Sequence, residues 1–178
     1  MANAYTDFQD RLYNVISAMF PDNLVIWANG NGTEPEEAYI SMYLINLPQV
    51  GREEVSTYAA EISTNSDTYQ LYVKVTYEAL VQFSFRGNGA GDLAHSFSLK
   101  LNNPYFWELF TENNLSKMRQ STLRNAPQKR DTVWVEGFNQ DVTFAYAYTS
   151  DQPIEVIEQV TVRDSDNNVF LIPENIGQ

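Results

Sequence analysis

The sequence predicts an α+β domain: a mostly antiparallel sheet with an N-terminal helix and one or two central helices packed on one face. Three observations carry this. The patterned segments run in the order helix, strands, helices, strands; several strand segments are long and alternate with period two; and nowhere do strands and helices alternate in the rhythm that builds a parallel sheet. A length of 178 residues suits one domain over 1–178, with a helix at 6–20 and a strand and tail at 163–178. No internal repeat, heptad array or low-complexity tract interrupts it.

Phe8, Leu12, Val15, Ile16 and Met19 recur at helical spacing, and Thr6 with Gln9 reads as a capping box, so a helix is expected from Thr6 to Phe20, stopped by Pro21. Leu24 to Ala28 is short, β-branched and bounded by Asn29-Gly-Asn-Gly32, which reads as a strand entering a loop. An acidic loop with Glu34, Pro35, Glu36 and Glu37 follows, then strands over Tyr39 to Leu47 and Glu53 to Ser63, and a tight connection at Thr64-Asn-Ser-Asp67. Leu71, Val73, Val75 and Tyr77 alternate with Tyr72, Lys74, Thr76 and Glu78 on a half-buried strand reaching Phe85.

Gly87-Asn-Gly-Ala-Gly91 breaks the chain, and Asp92 is placed to cap a helix carrying Leu93, Phe97 and Leu101. Asn103-Pro104 opens a second short helix with Phe106, Leu109 and Phe110 on one side. The stretch Asn113 to Arg130 carries basic residues and no acid. Val133 to Val135, Val142 to Tyr148 and Ile154 to Val162 are strand-like, and Asp164-Ser-Asp-Asn-Asn168 turns into a last strand, Val169 to Ile172.

The balance of 23 acidic against 11 basic residues gives −12 and an isoelectric point near 4.3. That works against coating nucleic acid or binding an anionic membrane, both of which rest on Lys and Arg neutralising phosphates. With 43% apolar residues the charge does not signal disorder. The absence of cysteine removes disulfides, Cys-rich zinc sites and thiol catalysis. Met1 to Asp10 has no basic leader, and no apolar run is long enough to span a bilayer, so a soluble product made in a cytoplasm is expected.

Candidate chemistry is thin, and no catalytic, cofactor or metal residue is assigned. His95, the single histidine, falls mid-helix with no nucleophile-elbow motif, and one imidazole leaves no histidine-based zinc site, so a structural role is expected. Gly87, Gly89 and Gly91 lie between a strand and a helix as a phosphate-cradling loop would, but Asp92 stands where the third motif glycine belongs and would repel the phosphate. A flexible strand-to-helix connection explains the glycines. Asp164, Asp166 and Asn168 open like a calcium loop, yet Val169 and Asn175 occupy the positions that need Gly and Glu, so a hairpin turn is expected. Glu108 and Glu112 share a helix face and read as solvated. Asn31-Gly-Thr33 and Asn114-Leu-Ser116 match glycosylation sequons, which matter only in a secreted chain. Trp27, Trp107 and Trp134 read as core or subunit-contact residues rather than a stacking platform.

Charge is unevenly spread. Residues 86–130 hold Arg86, Lys100, Lys117, Arg119, Arg124, Lys129 and Arg130 against Asp92, Glu108 and Glu112, a local +4 that leaves −16 on the remainder. Such a subunit either has a bland solvated surface or carries a basic and an acidic face suited to head-to-tail packing.

Leu24-Val-Ile-Trp-Ala-Asn-Gly-Asn-Gly32, the acidic loop with Pro35, Ala38-Tyr-Ile-Ser-Met-Tyr-Leu44 and then Gly51-Arg52 resemble the phage neck (tail) terminator family. The later order is similar too, with a long strand ending near Phe85, helices from about Gly91, and strands at Val142 to Tyr148 and Ile154 to Val162; the similarity covers about 8–163. The 113–130 stretch and Trp134-Val-Glu-Gly-Phe138 do not map onto it.

The resemblance implies a virion protein without enzymatic activity, assembled in the host cytoplasm. Its copies would form a ring of six that caps the tail tube, joins the head-tail connector and, in a contractile tail, meets the sheath. DNA would pass through the lumen unbound. On this reading Glu34, Glu36, Glu37, Glu53 and Glu54 face the lumen, and Lys117, Arg119, Arg124, Lys129 and Arg130 contact a neighbour or an acidic partner. The competing readings are a head-completion or baseplate adaptor ring, a carbohydrate-binding module using the aromatics, and a small hydrolase, disfavoured because no paired-acid motif is present.

Overall fold

Helix α1 (Ala4–Met19) begins two residues before the expected Thr6, because Asn3 is its N-cap: the Asn3 side chain accepts from the Thr6 backbone N–H at 2.9 Å. Gln9 reaches the Tyr5 hydroxyl at 3.3 Å instead of closing a capping box. Phe8, Leu12, Val15, Ile16 and Met19 form its buried stripe, and Pro21 follows the C-cap Phe20. These coordinates come from a computed structural model, which describes residues 3–28, 35–59, 69–130, 132–154, 160–163 and 169–172.

The principal sheet has the order β1 (Leu24–Trp27), β2 (Tyr39–Asn46), β4 (Tyr69–Arg86), β9 (Gly137–Ile154), β5 (Leu115–Gln120); β3 (Glu54–Ala59) pairs with β4, and β6 (Arg124–Asn125) pairs with β9. β1 runs parallel to β2, with Leu24 opposite Tyr39, whereas β2 is antiparallel to β4, and β5 and β6 are antiparallel to β9. The α+β class with a mostly antiparallel sheet therefore holds, with one parallel pair at the β1 edge. Two hairpins stand outside this sheet: β7 (Gln128–Arg130) with β8 (Val133–Val135), and β10 (Val160–Arg163) with β11 (Val169–Ile172). Residues 113–130, whose sequence shows no strand alternation, thus contain three strands. The expected hairpin turn at Asp164 to Asn168, the connection at Thr64 to Asp67 and the sequon at Asn31 lie outside the described residues.

By their contacts the residues divide into two compact units, 1–53 with 74–148, and 54–73 with 149–178. The first holds the core. Ile40, Met42 and Leu44 of β2, Ala79, Val81, Phe83 and Phe85 of β4, and Val142, Phe144 and Tyr146 of β9 are the buried alternate positions, and they pack with α1 and with α2 (Ala90–Leu101). Phe97 of α2 is the hub, with ring centroids 4.6 Å from Phe83, 5.0 Å from Phe85 and 5.7 Å from Phe20. Each such side chain, fully buried, contributes about 1.5–3 kcal/mol relative to exposure. The second unit contains β3 and the β10–β11 hairpin, in which Val160 faces Ile172 and Arg163 faces Val169.

Among the described residues the buried polar side-chain atoms are partnered, Ser17 Oγ of α1 excepted. Gln140, 2% exposed, accepts from the Ser98 hydroxyl at 2.8 Å and donates to the Ser121 carbonyl at 2.9 Å. Tyr146, also buried, donates its hydroxyl to Asp7, which accepts from Arg11 Nε at 2.6 Å, tying α1 to β9.

Candidate functional site

Of the charged residues that the sequence singles out, Lys117 and Arg119 lie on the outer strand β5, Arg124 on β6, Lys129 and Arg130 on β7, Glu54 at the start of β3, and Glu36 and Glu37 beside the opposite outer strand, β1. After a 3-10 turn (Pro104–Phe106) and the short helix α3 (Trp107–Glu112), the chain turns through Asn114 at φ 55° into β5. Asn is among the few non-glycine residues that adopt this conformation readily. β5 is broken by an irregularity between Lys117 and Arg119, a feature typical of outer strands.

The basic residues are less available than their run suggests. Lys117 Nζ donates to Asn102 Oδ1 at 2.6 Å and to Gln120 Oε1 at 3.3 Å, and burial holds its amine below the usual lysine range. Arg119 pairs with Glu78 and donates to Thr143 Oγ1 at 3.2 Å. Arg124 pairs with Asp141 Oδ2 at 2.6 Å, while Gln82 donates to the other Asp141 oxygen at 3.3 Å. Lys129 is exposed on β7, and the Arg130 side chain lies outside the described residues. Two further members of the local +4 are turned inward. Arg86 is 7% exposed, donating to the carbonyls of Phe85 and Phe138 at 2.9 and 3.1 Å and to Asn139 at 3.0 Å; Lys100 Nζ donates to the Met19 carbonyl at 2.6 Å and lies over the Phe20 ring. The charge asymmetry of the sequence is therefore partly cancelled in space by Glu78 and Asp141, which lie outside the basic run.

Between α3 and β5 lies a cleft of about 280 Å³ lined by Trp107, Phe110, Thr111, Leu115, Ser116 and Lys117. Phe110 and Leu115 are buried, whereas Trp107 is 55% exposed. Trp134, at 67%, is also on the surface, so of the three tryptophans it is Trp27 that packs against the core.

At the β1 edge, a second cleft of about 380 Å³ is lined by Asp22, Leu24, Pro35, Glu36, Glu37, Ala38 and Tyr39. Glu36 and Glu37 are exposed, and Glu34 lies outside the described residues. Nothing in the sequence groups Asp22 and Leu24 with these acids; the parallel β1–β2 pairing does so. Glu53 and Glu54, at the entrance to β3, are exposed.

The glycine turn anchors this acidic segment. The Asn88 N–H donates to the Glu36 carbonyl at 3.0 Å, and Glu37 forms a parallel bridge with Asn88. Gly87, at φ 88°, lies against the Glu37 carbonyl, so the turn is a close backbone contact rather than a flexible connection. Gly89, at φ 84°, is the N-cap of α2, and Asp92 instead sits exposed in its first turn. The Gly91 N–H faces Glu136 Oε2 at 3.4 Å. A phosphate here would meet two carboxylates, in keeping with the reading of this turn as structural.

His95 is exposed on α2, and Glu108 and Glu112 are exposed on α3. Among the described residues no group of three or more His, Asp and Glu is placed to hold a metal ion, and no helix is long and apolar enough to cross a membrane.

The family model for the phage neck terminator protein matches residues 8–168. No curated protein matches the chain in sequence. Among solved structures, the sheath/tube terminator of the PVC extracellular contractile injection system, in its extended state, aligns at 10% identity and a TM-score of 0.39, over 93% of this chain and 65% of that one. The chain thus spans less than two thirds of that protein's length.

Proposed function

The chain belongs to the phage neck terminator protein family, and from that premise we propose that its copies form a ring of six that caps the tail tube and joins it to the head-tail connector. The family match over 8–168 carries the tail-terminating role: this is a structural part of the virion tail rather than an enzyme. In a contractile tail the ring also meets the last sheath layer. Assembly takes place in the host cytoplasm.

The acidic balance supports a lumen that DNA crosses without being held. At −12 per copy, a ring repels phosphates at the close range that salt does not screen, about 8 Å at physiological ionic strength. Glu34, Glu36, Glu37, Glu53 and Glu54 are the candidates for that lining. Lys117, Arg119, Arg124, Lys129 and Arg130 supply contacts to a neighbouring copy or an acidic tail component, with Arg119 and Arg124 already braced by Glu78 and Asp141.

Electron microscopy of particles made without this protein tests the reading. Overlong or unjoined tails are expected. Normal tails on leaking heads would instead assign the chain to head completion.

A further inference from the structure

The outer strands β1 and β5 are separated by four inter-strand steps of about 4.8 Å, which places the two edges roughly 19 Å apart. Each edge has its own cleft, and the two differ in kind. At the β5 edge, Phe110 and Leu115 make an apolar floor, Trp107 a half-exposed wall, and Lys117 supplies a cation. This is a receptor for a large apolar side chain accompanied by a carboxylate, with an aromatic anchor of the sort that dominates binding energy. At the β1 edge, Leu24 is 50% exposed among Asp22, Glu36 and Glu37, an apolar side chain flanked by carboxylates. One edge carries what the other would receive.

From this complementarity we infer that a second copy of the chain docks its β1 edge, led by Leu24, into the Trp107–Lys117 cleft of its neighbour, with the acids beside Leu24 meeting Lys117. The inference rests on the ring reading above and names the surfaces that build the ring; it moves Glu36 and Glu37 from the lumen to the contact between copies. A copy cannot fill its own cleft across the width of its sheet. A two-fold contact of cleft on cleft would set Lys117 against Lys117. Two arrangements remain, a reciprocal two-fold pair that stops at two copies and a head-to-tail contact that continues and closes into rings; the ring reading selects the second. Burial disfavours the charged amine of Lys117 at this edge, and an incoming carboxylate offsets that.

The absence of cysteine makes the test direct. Particles produced with the double variant L24C/S116C are oxidised and run on a non-reducing gel; Ser116 is exposed and lines the β5-edge cleft. A ladder at multiples of 20.4 kDa that collapses on reduction is expected, while L24C alone and S116C alone stay monomeric. D22C/S116C reads the same pair of surfaces with Leu24 intact. Dimers from S116C alone mean a cleft-on-cleft contact, and a double-variant product that stops at two copies means a reciprocal two-fold pair; either overturns the inference, as do monomers from both double variants. Glutaraldehyde treatment of the same particles separates the two ideas. Multimers with glutaraldehyde but none through the cysteines leave the ring standing and remove this contact, whereas monomers under both remove both.

Discussion

Gly87 lies so close to the Glu37 backbone that a β-carbon on residue 87 would stand 2.1 Å from the Glu37 carbonyl oxygen. The contact fixes the acidic segment against the end of β4, and it combines a left-handed φ of 88° with a steric limit. Gly51 separates the two effects, having a φ of 78° and nothing within 4 Å of its β-carbon position. Gly51→Ala should cost about 1–2 kcal/mol, the penalty of the left-handed conformation alone. Gly87→Ala should cost about 3 kcal/mol or more, because overpacking adds about 1–3 kcal/mol to that strain. Urea unfolding of the two variants checks this, and equal losses would show that the Glu37 contact is soft.

The bond between Tyr146 and Asp7 predicts a response to acid. Burial by itself raises the pKa of Asp7, but hydrogen bonds from Arg11 and Tyr146, with the Arg11 charge, outweigh it and hold the carboxyl below its ordinary value of 3.8. The lower folded-state pKa means that the stabilisation is fully present above pH 4 and is lost as pH falls through the folded value. Asp7→Asn should therefore flatten the decline in stability below pH 4. Tyr146→Phe should lower stability by about 1.5–3 kcal/mol at pH 7, the cost of a missing hydrogen bond to a charged group. Thermal unfolding from pH 2 to pH 7 reads both, and a variant whose acid limb matches the parent would remove Asp7 from the account.

Phe97 touches three core rings from α2, whereas Leu99, two residues on, is 60% exposed. Phe97→Ala should destabilise by about 3–5 kcal/mol, the range for a large aromatic removed from a packed core. Leu99→Ala should fall within about 0.5 kcal/mol of the parent. Chemical denaturation compares them, and similar midpoints would mean that α2 is not packed on the sheet through Phe97.

The parts of this fold that were legible in the sequence are those whose burial writes a period into the chain. Phe8 to Met19 announce α1, and Val142, Phe144 and Tyr146 announce the middle of β9, since each presents one apolar side to the core. β5 was illegible for the opposite reason. An outer strand with Leu115 as its one buried residue has no alternation to show, and its irregularity at Met118 breaks the pattern further. The α2 cap is not legible in the sequence, because a left-handed Gly89 starts the helix without any side-chain bond while Asp92 offers the side chain that a cap normally uses. The candidate surface divides in the same way. The basic run and the acidic loop can be seen in composition, but the partners Glu78 and Asp141, and the grouping of Asp22 and Leu24 with Glu36, come from strand pairing between distant segments.

Arg119 and Glu78 provide the test of whether the basic run works inward or outward. Their ion pair joins β5 to β4, yet the Arg119 side chain is 72% exposed, so its loss should cost no more than about 1 kcal/mol. Arg119→Glu is therefore expected to fold with a midpoint close to that of the parent while failing to join heads to tails. The exchanged pair, Arg119→Glu with Glu78→Arg, restores the attraction between strands but moves the positive charge from β5 to β4. An outward role predicts that joining remains blocked in the exchanged pair, because the cation has left the strand that meets the partner. An inward role predicts that joining recovers with the ion pair. Counts of joined particles by electron microscopy, alongside unfolding midpoints of the purified variants, decide between them. Recovery in the exchanged pair would take Arg119 out of the partner interface.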